Sequence, residues 1–295
     1  MSVDAARRVR TSGGDLAVLD LGDPEAPAVL FVHGFPTSSL LWRAFVPMLP
    51  PAMRAVAPDL LGAGDSDKPE DAPLGIEAQA GYLEEVLDAL GIERTAIVAH
   101  SHGGGIAQLL ALRGRAEVLV LMDSIAFDEW PSEPMRELQR LVARGDTFPD
   151  AVIDVAFDIG MGHRDRLPTE AVRAYQRPFA GPDGAAAFAR WAASIDGVGL
   201  AGHEDELAAL RIPVFVLWGE EDPFSPPAIA DRLSELFPMS SLALLPGCRH
   251  FLPEDAPQAI APLVYEYLRS TYAKLPHEHE PAPTVLELGR RLSRE

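Results

Sequence analysis

Thr95-Ala96-Ile97-Val98-Ala99-His100-Ser101-His102-Gly103-Gly104-Gly105-Ile106-Ala107-Gln108-Leu109-Leu110-Ala111-Leu112 runs from a short apolar stretch, through a knot of histidine, serine and glycine, into a second apolar stretch at helical spacing. The first stretch has the length and branched content of a buried strand, and the second reads as a helix. Only a sharp bend fits between them. Such a bend forces the central residue into an uncommon backbone conformation, so small residues are needed two positions to either side, and Ala99 and Gly103 supply them. The Ser101 hydroxyl then projects above the strand beside a helix N-terminus, where free amides and the helix dipole favour developing negative charge.

The same rhythm extends in both directions. Apolar runs at 28–32, 54–58, 118–122, 214–218 and 242–245 join 95–99 as expected strands, and 40–49, 76–90, 104–112, 228–237 and 257–268 carry helical spacing between them. Strand alternating with helix predicts an α/β fold, a mostly parallel central sheet with helices on both faces. The alternation stops between about 127 and 210, where only helical periods occur, at 135–142, 151–159, 170–175 and 185–195. An insertion between two strands is expected over the carboxyl edge of the sheet, where α/β ligands bind. The expected organisation is therefore a core of 1–127 and 207–274, an inserted helical cap or lid of 128–206 and a C-terminal tail of 275–295. In that tail, 276–281 reads as a linker and 284–294 as a frayed end or short amphipathic helix.

Composition narrows the function classes. At 47% hydrophobic and 23% charged residues over 295 positions, the chain is an ordinary globular one. Its net charge of −19 repels phosphate backbones and anionic bilayers, so neither nucleic acid nor membrane is an expected partner. The single cysteine, Cys248, has no disulfide partner. The N-terminal Arg7, Arg8 and Arg10 precede no apolar run of signal-peptide length, and no stretch reaches membrane-span length, so a cytoplasmic monomer or homodimer is expected.

Two turns at expected strand ends complete a constellation with Ser101. The strand at 214–218 ends in Gly219-Glu220-Glu221-Asp222-Pro223, and the strand at 242–245 leads to Gly247-Cys248-Arg249-His250-Phe251. A serine hydroxyl is a weak nucleophile at neutral pH; it needs a histidine to accept its proton and a carboxylate to fix that histidine's tautomer. Ser101, Asp222 and His250 are the candidates. Upstream, His33-Gly34-Phe35-Pro36 follows the strand at 28–32, and the Phe35 and His102 amides are candidate oxyanion donors. Trp130, Met161, Trp191, Phe224 and Phe251 are candidate walls of an apolar pocket for a small-molecule substrate. No metal or cofactor is called for: His100 and His102 lack a carboxylate or cysteine at ligand spacing, and Gly62-Ala63-Gly64 lacks the ending of a nucleotide loop.

These motifs resemble the α/β-hydrolase superfamily over nearly the whole chain to about Ala273. The stretches His33-Gly34-Phe35-Pro36, Asp59-Leu60-Leu61-Gly62-Ala63-Gly64-Asp65-Ser66-Asp67 and Gly103-Gly104-Gly105-Ile106-Ala107-Gln108 are similar to the haloalkane dehalogenase branch. That branch carries an aspartate nucleophile, a following halide-binding tryptophan and an asparagine after the His-Gly pair; here those places hold Ser101, His102 and Phe35. The resemblance therefore implies a serine hydrolase of small or medium apolar carboxylic esters, lactones or thioesters. Carbon–carbon hydrolysis of a vinylogous keto acid, with Arg190 or Arg249 holding its carboxylate, is the alternative. A ligand-binding protein that has lost turnover is the alternative from another class. Asp123 matches the position where some of the dehalogenase branch carry their acid, whereas the Gly-x-x-Asp turn favours Asp222.

Overall fold

Alternate residues of each central strand serve opposite sides of one sheet. Leu30, Val32, Ile97, Ala99, Leu119, Leu121, Val214 and Val216 enter one core, and Val29, Phe31, Ala96, Val98, Val118, Val120, Phe215 and Leu217 enter the other. Both faces are buried, which explains the near-continuous apolar runs. The computed structural model describes residues 6–50, 52–128, 130–146, 148–196 and 199–272. The expected linker at 276–281 and the expected tail helix at 284–294 lie outside them.

Eight strands form the sheet: β1 (Ala6–Arg10), β2 (Asp15–Leu21), β3 (Ala28–Val32), β4 (Arg54–Pro58), β5 (Thr95–His100), β6 (Ala116–Met122), β7 (Val214–Gly219) and β8 (Ser240–Leu245). Their order is β1-β2-β4-β3-β5-β6-β7-β8. From β4 to β8 the pairing is parallel, whereas β1 and β2 form an antiparallel hairpin joined to β4. Sequence reading identified six strands and missed this hairpin, because β1 is mostly arginine and β2 carries Asp15 and Asp20 within it.

Helices α1 (Ile76–Ala89) and α2 (His102–Leu112) cover one face. Between β6 and β7 come α3 (Glu133–Ala143), α4 (Pro149–Gly160), α5 (Thr169–Gln176), α6 (Gly181–Ala193) and α7 (Glu204–Ala209). After β7 follow α8 (Ala228–Leu236), α9 (Leu252–Asp255) and α10 (Pro257–Thr271). Helix α8 joins the α1–α2 side and α10 buries the opposite face. Inside the insertion α3 packs on α6 and α4 on α5, whereas α7 packs on α2 and α8, so position 206/207 falls inside a helix that belongs with the sheet.

The expected helix at 40–49 is instead two single 3₁₀ turns, Ser39–Trp42 and Val46–Met48. Pro47 has no N–H to continue a helical ladder, which accounts for the break. Among the described residues no helix is long and apolar enough to cross a membrane.

Candidate active site

Ser101 stands between β5 and α2 at φ 53° and ψ −123°, in a region that side chains other than glycine seldom occupy. The surroundings hold it there. The Ser101 N–H donates to the Met122 carbonyl, and its own carbonyl accepts from Gly104 and Ile125. The close approach demands glycine nearby: a Cβ at Gly34 would lie 2.8 Å from the Ser101 Cβ, and one at Gly103 would run into the Val32 and His33 carbonyls.

The serine hydroxyl donates to His250 Nε2 at 3.0 Å, and His250 Nδ1–H donates to Asp222 Oδ2 at 2.8 Å. That pairing fixes the tautomer: the Nδ1 proton faces the carboxylate, so the Nε2 lone pair faces the serine. Asp222 is itself anchored, its Oδ1 accepting from the Phe224 and Ser225 amides at 2.7 and 3.0 Å. Residues 101, 222 and 250 thus meet from three loops at the carboxyl edge of β5, β7 and β8, and all three are buried. Asp123, the alternative acid, makes a different bond, accepting from Gly219 N–H at 2.9 Å.

The candidate oxyanion donors are the Phe35 and His102 amides. His102 is the first residue of α2, so its N–H has no intrahelical acceptor, and Gly34, just before Phe35, packs closely against Ser101 and the His102 nitrogen. Among the described residues neither amide donates to another main-chain carbonyl. The rings nearby have other duties. His33 donates from Nδ1 to the Gly34 carbonyl at 3.0 Å and accepts at Nε2 from Leu60 N–H at 2.9 Å, fixing the turn before Phe35. His100 Nε2–H donates to the His250 carbonyl at 2.8 Å, and burial holds its pKa well below the usual histidine range. The His102 ring is fully buried with neither nitrogen paired, and burial lowers its pKa to about 3, so it is a neutral packed group away from the cavity lining.

A cavity of about 630 Å³ opens over Ser101 and His250. Its core side is Phe35, Phe224 and Phe251; Trp130 borders it, and α3 and α4 roof it with Leu138, Leu141, Val152, Val155 and Ala156. Among the described residues its charged lining, the histidine aside, is acidic only, Glu137 and Asp146. Two expected walls lie elsewhere. Trp191 is fully buried on α6, where it backs Phe35 at 4.8 Å between ring centroids and stacks on Phe179. Met161 follows α4 and is buried in the core below it. The α3 and α4 wall was legible only as helical apolar spacing, which does not say which face meets a cavity.

Sequence reading also passed over Glu254 and Asp255, just downstream of His250. Glu254 is buried, paired with Arg43 through two bonds and with the Tyr175 hydroxyl of α5 at 2.6 Å. Asp255 is fully buried and accepts from the Gly162, His163 and Arg249 amides at 2.7 to 2.9 Å. The two acids tie the inserted helices to the His250 loop. Asp255, His163 and Cys248 also bring three metal-ligating atoms within 4.8 Å of one another. The carboxylate there is already occupied by three amides, and burial pushes the Cys248 thiol up to about 12, so main-chain anchoring accounts for the cluster.

A parallel sheet bearing a strained serine, a paired histidine and an apolar cavity at its carboxyl edge defines a hydrolase class. The chain belongs to the alpha/beta hydrolase fold family, whose model matches residues 27–257, and it is an enzyme of that family. It is similar to haloalkane dehalogenase 2 of Mycobacterium bovis, 31% identical over 277 residues that cover 87% of this chain and 92% of that one. It is 32% identical over 253 residues to 2-hydroxymuconate semialdehyde hydrolase of Pseudomonas sp. strain CF600, covering 81% and 86%. Among solved structures, a thermophilic esterase from Thermogutta terrifontis superposes with a TM-score of 0.74 at 26% identity, covering 90% of this chain and 98% of that one.

Proposed function

We propose that the protein is a serine hydrolase of small or medium apolar carboxylic esters, lactones or thioesters, with the inserted helices α3 to α6 acting as its cap. The observation that carries this reading is the Ser101–His250–Asp222 chain of hydrogen bonds beneath an apolar cavity. In this mechanism Ser101 Oγ attacks the carbonyl carbon while His250 Nε2 takes its proton, and the imidazolium is stabilised by Asp222. The carbonyl oxygen becomes an oxyanion facing the Phe35 and His102 amides, each such donor lowering the barrier by about 3 kcal/mol. Collapse breaks the bond to the leaving oxygen or sulfur, which receives the proton from His250. Water, deprotonated by the same histidine, then releases the acid from Ser101.

The cavity volume suits a ligand of modest size. A substrate carrying a carboxylate fits it less well. Neither Arg190 nor Arg249 lines the cavity: Arg190 donates to the Lys68 carbonyl and Arg249 to the Ile159 carbonyl. Two acids border the cavity instead, which weighs against the carbon–carbon reading despite the semialdehyde hydrolase relative. Dehalogenation is disfavoured by the nucleophile, since a serine attacks carbonyls far better than alkyl halides.

A panel of p-nitrophenyl esters, lactones and a ring-fission dienoate, run on wild type and Ser101→Ala, tests the reading. Turnover of neutral esters that falls about 10³-fold or more in the variant supports it. Undiminished hydrolysis by Ser101→Ala refutes it, as does failure of a fluorophosphonate to label the wild-type serine.

A further inference from the structure

Asp123 ends up beside the triad without belonging to it. It follows β6, the strand between those that deliver Ser101 and Asp222. Its backbone sits at φ 45°, in the left-handed region, which aspartate adopts more readily than most side-chain-bearing residues. The side chain is fully buried. Oδ1 accepts from Gly219 N–H at 2.9 Å, and Gly219 is the last residue of β7, three positions ahead of Asp222. Oδ2 receives no donor among the described residues.

The buried carboxylates acting on Asp123 are those of Asp222 and, more weakly, Asp255. Asp222 has already filled Oδ1 with two amides and given Oδ2 to His250. Neighbouring buried carboxylates resist being ionised together, and a buried oxygen without a partner is unfavourable. One proton on Asp123 Oδ2 resolves both conflicts. It turns an unpaired acceptor into a donor available to Asp222, and it leaves Asp222 as the anion that His250 requires. Burial and the Asp222 charge push the Asp123 carboxyl well above the usual carboxylate range, in line with this arrangement.

We propose that Asp123 is a positioning residue, kept as a neutral carboxylic acid that donates a hydrogen bond to Asp222 and so fixes the carboxylate that orients His250. The proposal rests on the serine-hydrolase reading above. Its proton stays on Asp123 throughout turnover; the proton that moves is the one passed between Ser101, His250 and the leaving group.

The test compares Asp123→Asn, Asp123→Ala and Asp222→Asn on a neutral p-nitrophenyl ester. An asparagine offers Gly219 the same acceptor and Asp222 the same kind of donor, so Asp123→Asn keeps kcat within about threefold, whereas Asp123→Ala loses about 10- to 100-fold at unchanged KM. An Asp123→Asn variant as impaired as Asp222→Asn would mean that Asp123 acts as an anion, and an Asp123→Ala variant with wild-type kcat would mean that it positions nothing; either overturns the proposal. Infrared difference spectroscopy supplies a readout independent of turnover. Wild type at neutral pH should show the carbonyl stretch of a buried protonated carboxyl group, lost in Asp123→Asn, and its absence refutes the assignment. Should Ser101→Ala retain full activity, the serine reading falls while the infrared result still decides the state of Asp123.

Discussion

Replacing Glu254 by glutamine keeps the side-chain volume and removes one negative charge from a buried knot. Glu254 is only 3% exposed, and its partner Arg43 keeps 25% of its side chain in solvent. Breaking a buried ion pair from one side costs about 3–5 kcal/mol because the other charge is left without a partner. Arg43 recovers part of its hydration through the exposed quarter, so about 2–3 kcal/mol is expected. For a chain of this size that corresponds to a fall in Tm of about 3–5 °C. The damage should also reach catalysis, because Glu254 sits four residues after His250 and its Tyr175 bond ties α5 to the same loop. Scanning calorimetry and urea melts measure the stability loss, and a cycle with Tyr175→Phe should show a coupling of about 0.5 kcal/mol or more. A glutamine variant that melts within about 1 °C of wild type, or a strictly additive cycle, would refute the knot as a fastener of this region.

Other expectations follow from single contacts. Gly103→Ala places a Cβ against two main-chain carbonyls that cannot move without displacing β3, so a loss of about 2 kcal/mol or more in urea melts is expected; an unchanged midpoint would deny the close approach. Leu138→Arg brings a cation to a cavity bordered by acids, and should raise kcat/KM for carboxylate-bearing esters relative to neutral ones; an unchanged ratio would remove Leu138 from the substrate's path. The Asp123 carboxyl, raised by burial and by the Asp222 and Asp255 charges, holds a proton that the unfolded chain releases. The native state therefore binds more protons above the ordinary aspartate range, and its stability falls as pH rises toward the raised value. Urea melts of Asp123→Asn against wild type between about pH 5 and about 8 should show the difference moving in the variant's favour as pH rises, and a flat difference would contradict it.

Much of this molecule was present in short-range pattern. The apolar runs of β3 to β8 announced strands buried on both faces, and Ala99-His100-Ser101-His102-Gly103 announced a bend that only small flanking residues permit. The chain order of Ser101, Asp222 and His250 was legible as well, because each follows a strand whose end must lie at one edge of the sheet. The β1–β2 hairpin was not, since an edge strand owes its conformation to pairing with β2 rather than to its own arginine-rich sequence.

Local pattern favoured Asp222 over Asp123 as the acid facing the histidine without excluding Asp123, and it left open which aromatic rings meet the cavity and what holds the His250 loop. Those depend on contacts between distant residues: 149 positions separate Ser101 from His250, 28 separate Asp222 from it, and 79 separate Tyr175 from Glu254. The register of β6 against β7 puts Asp123 on the Gly219 amide and leaves the imidazole to Asp222, while the packing of α6 turns Trp191 behind Phe35 instead of into the cavity. Backbone preference is set by neighbours a few residues away and survives in the sequence, but the direction in which a side chain finally points is set by whatever the fold packs against it.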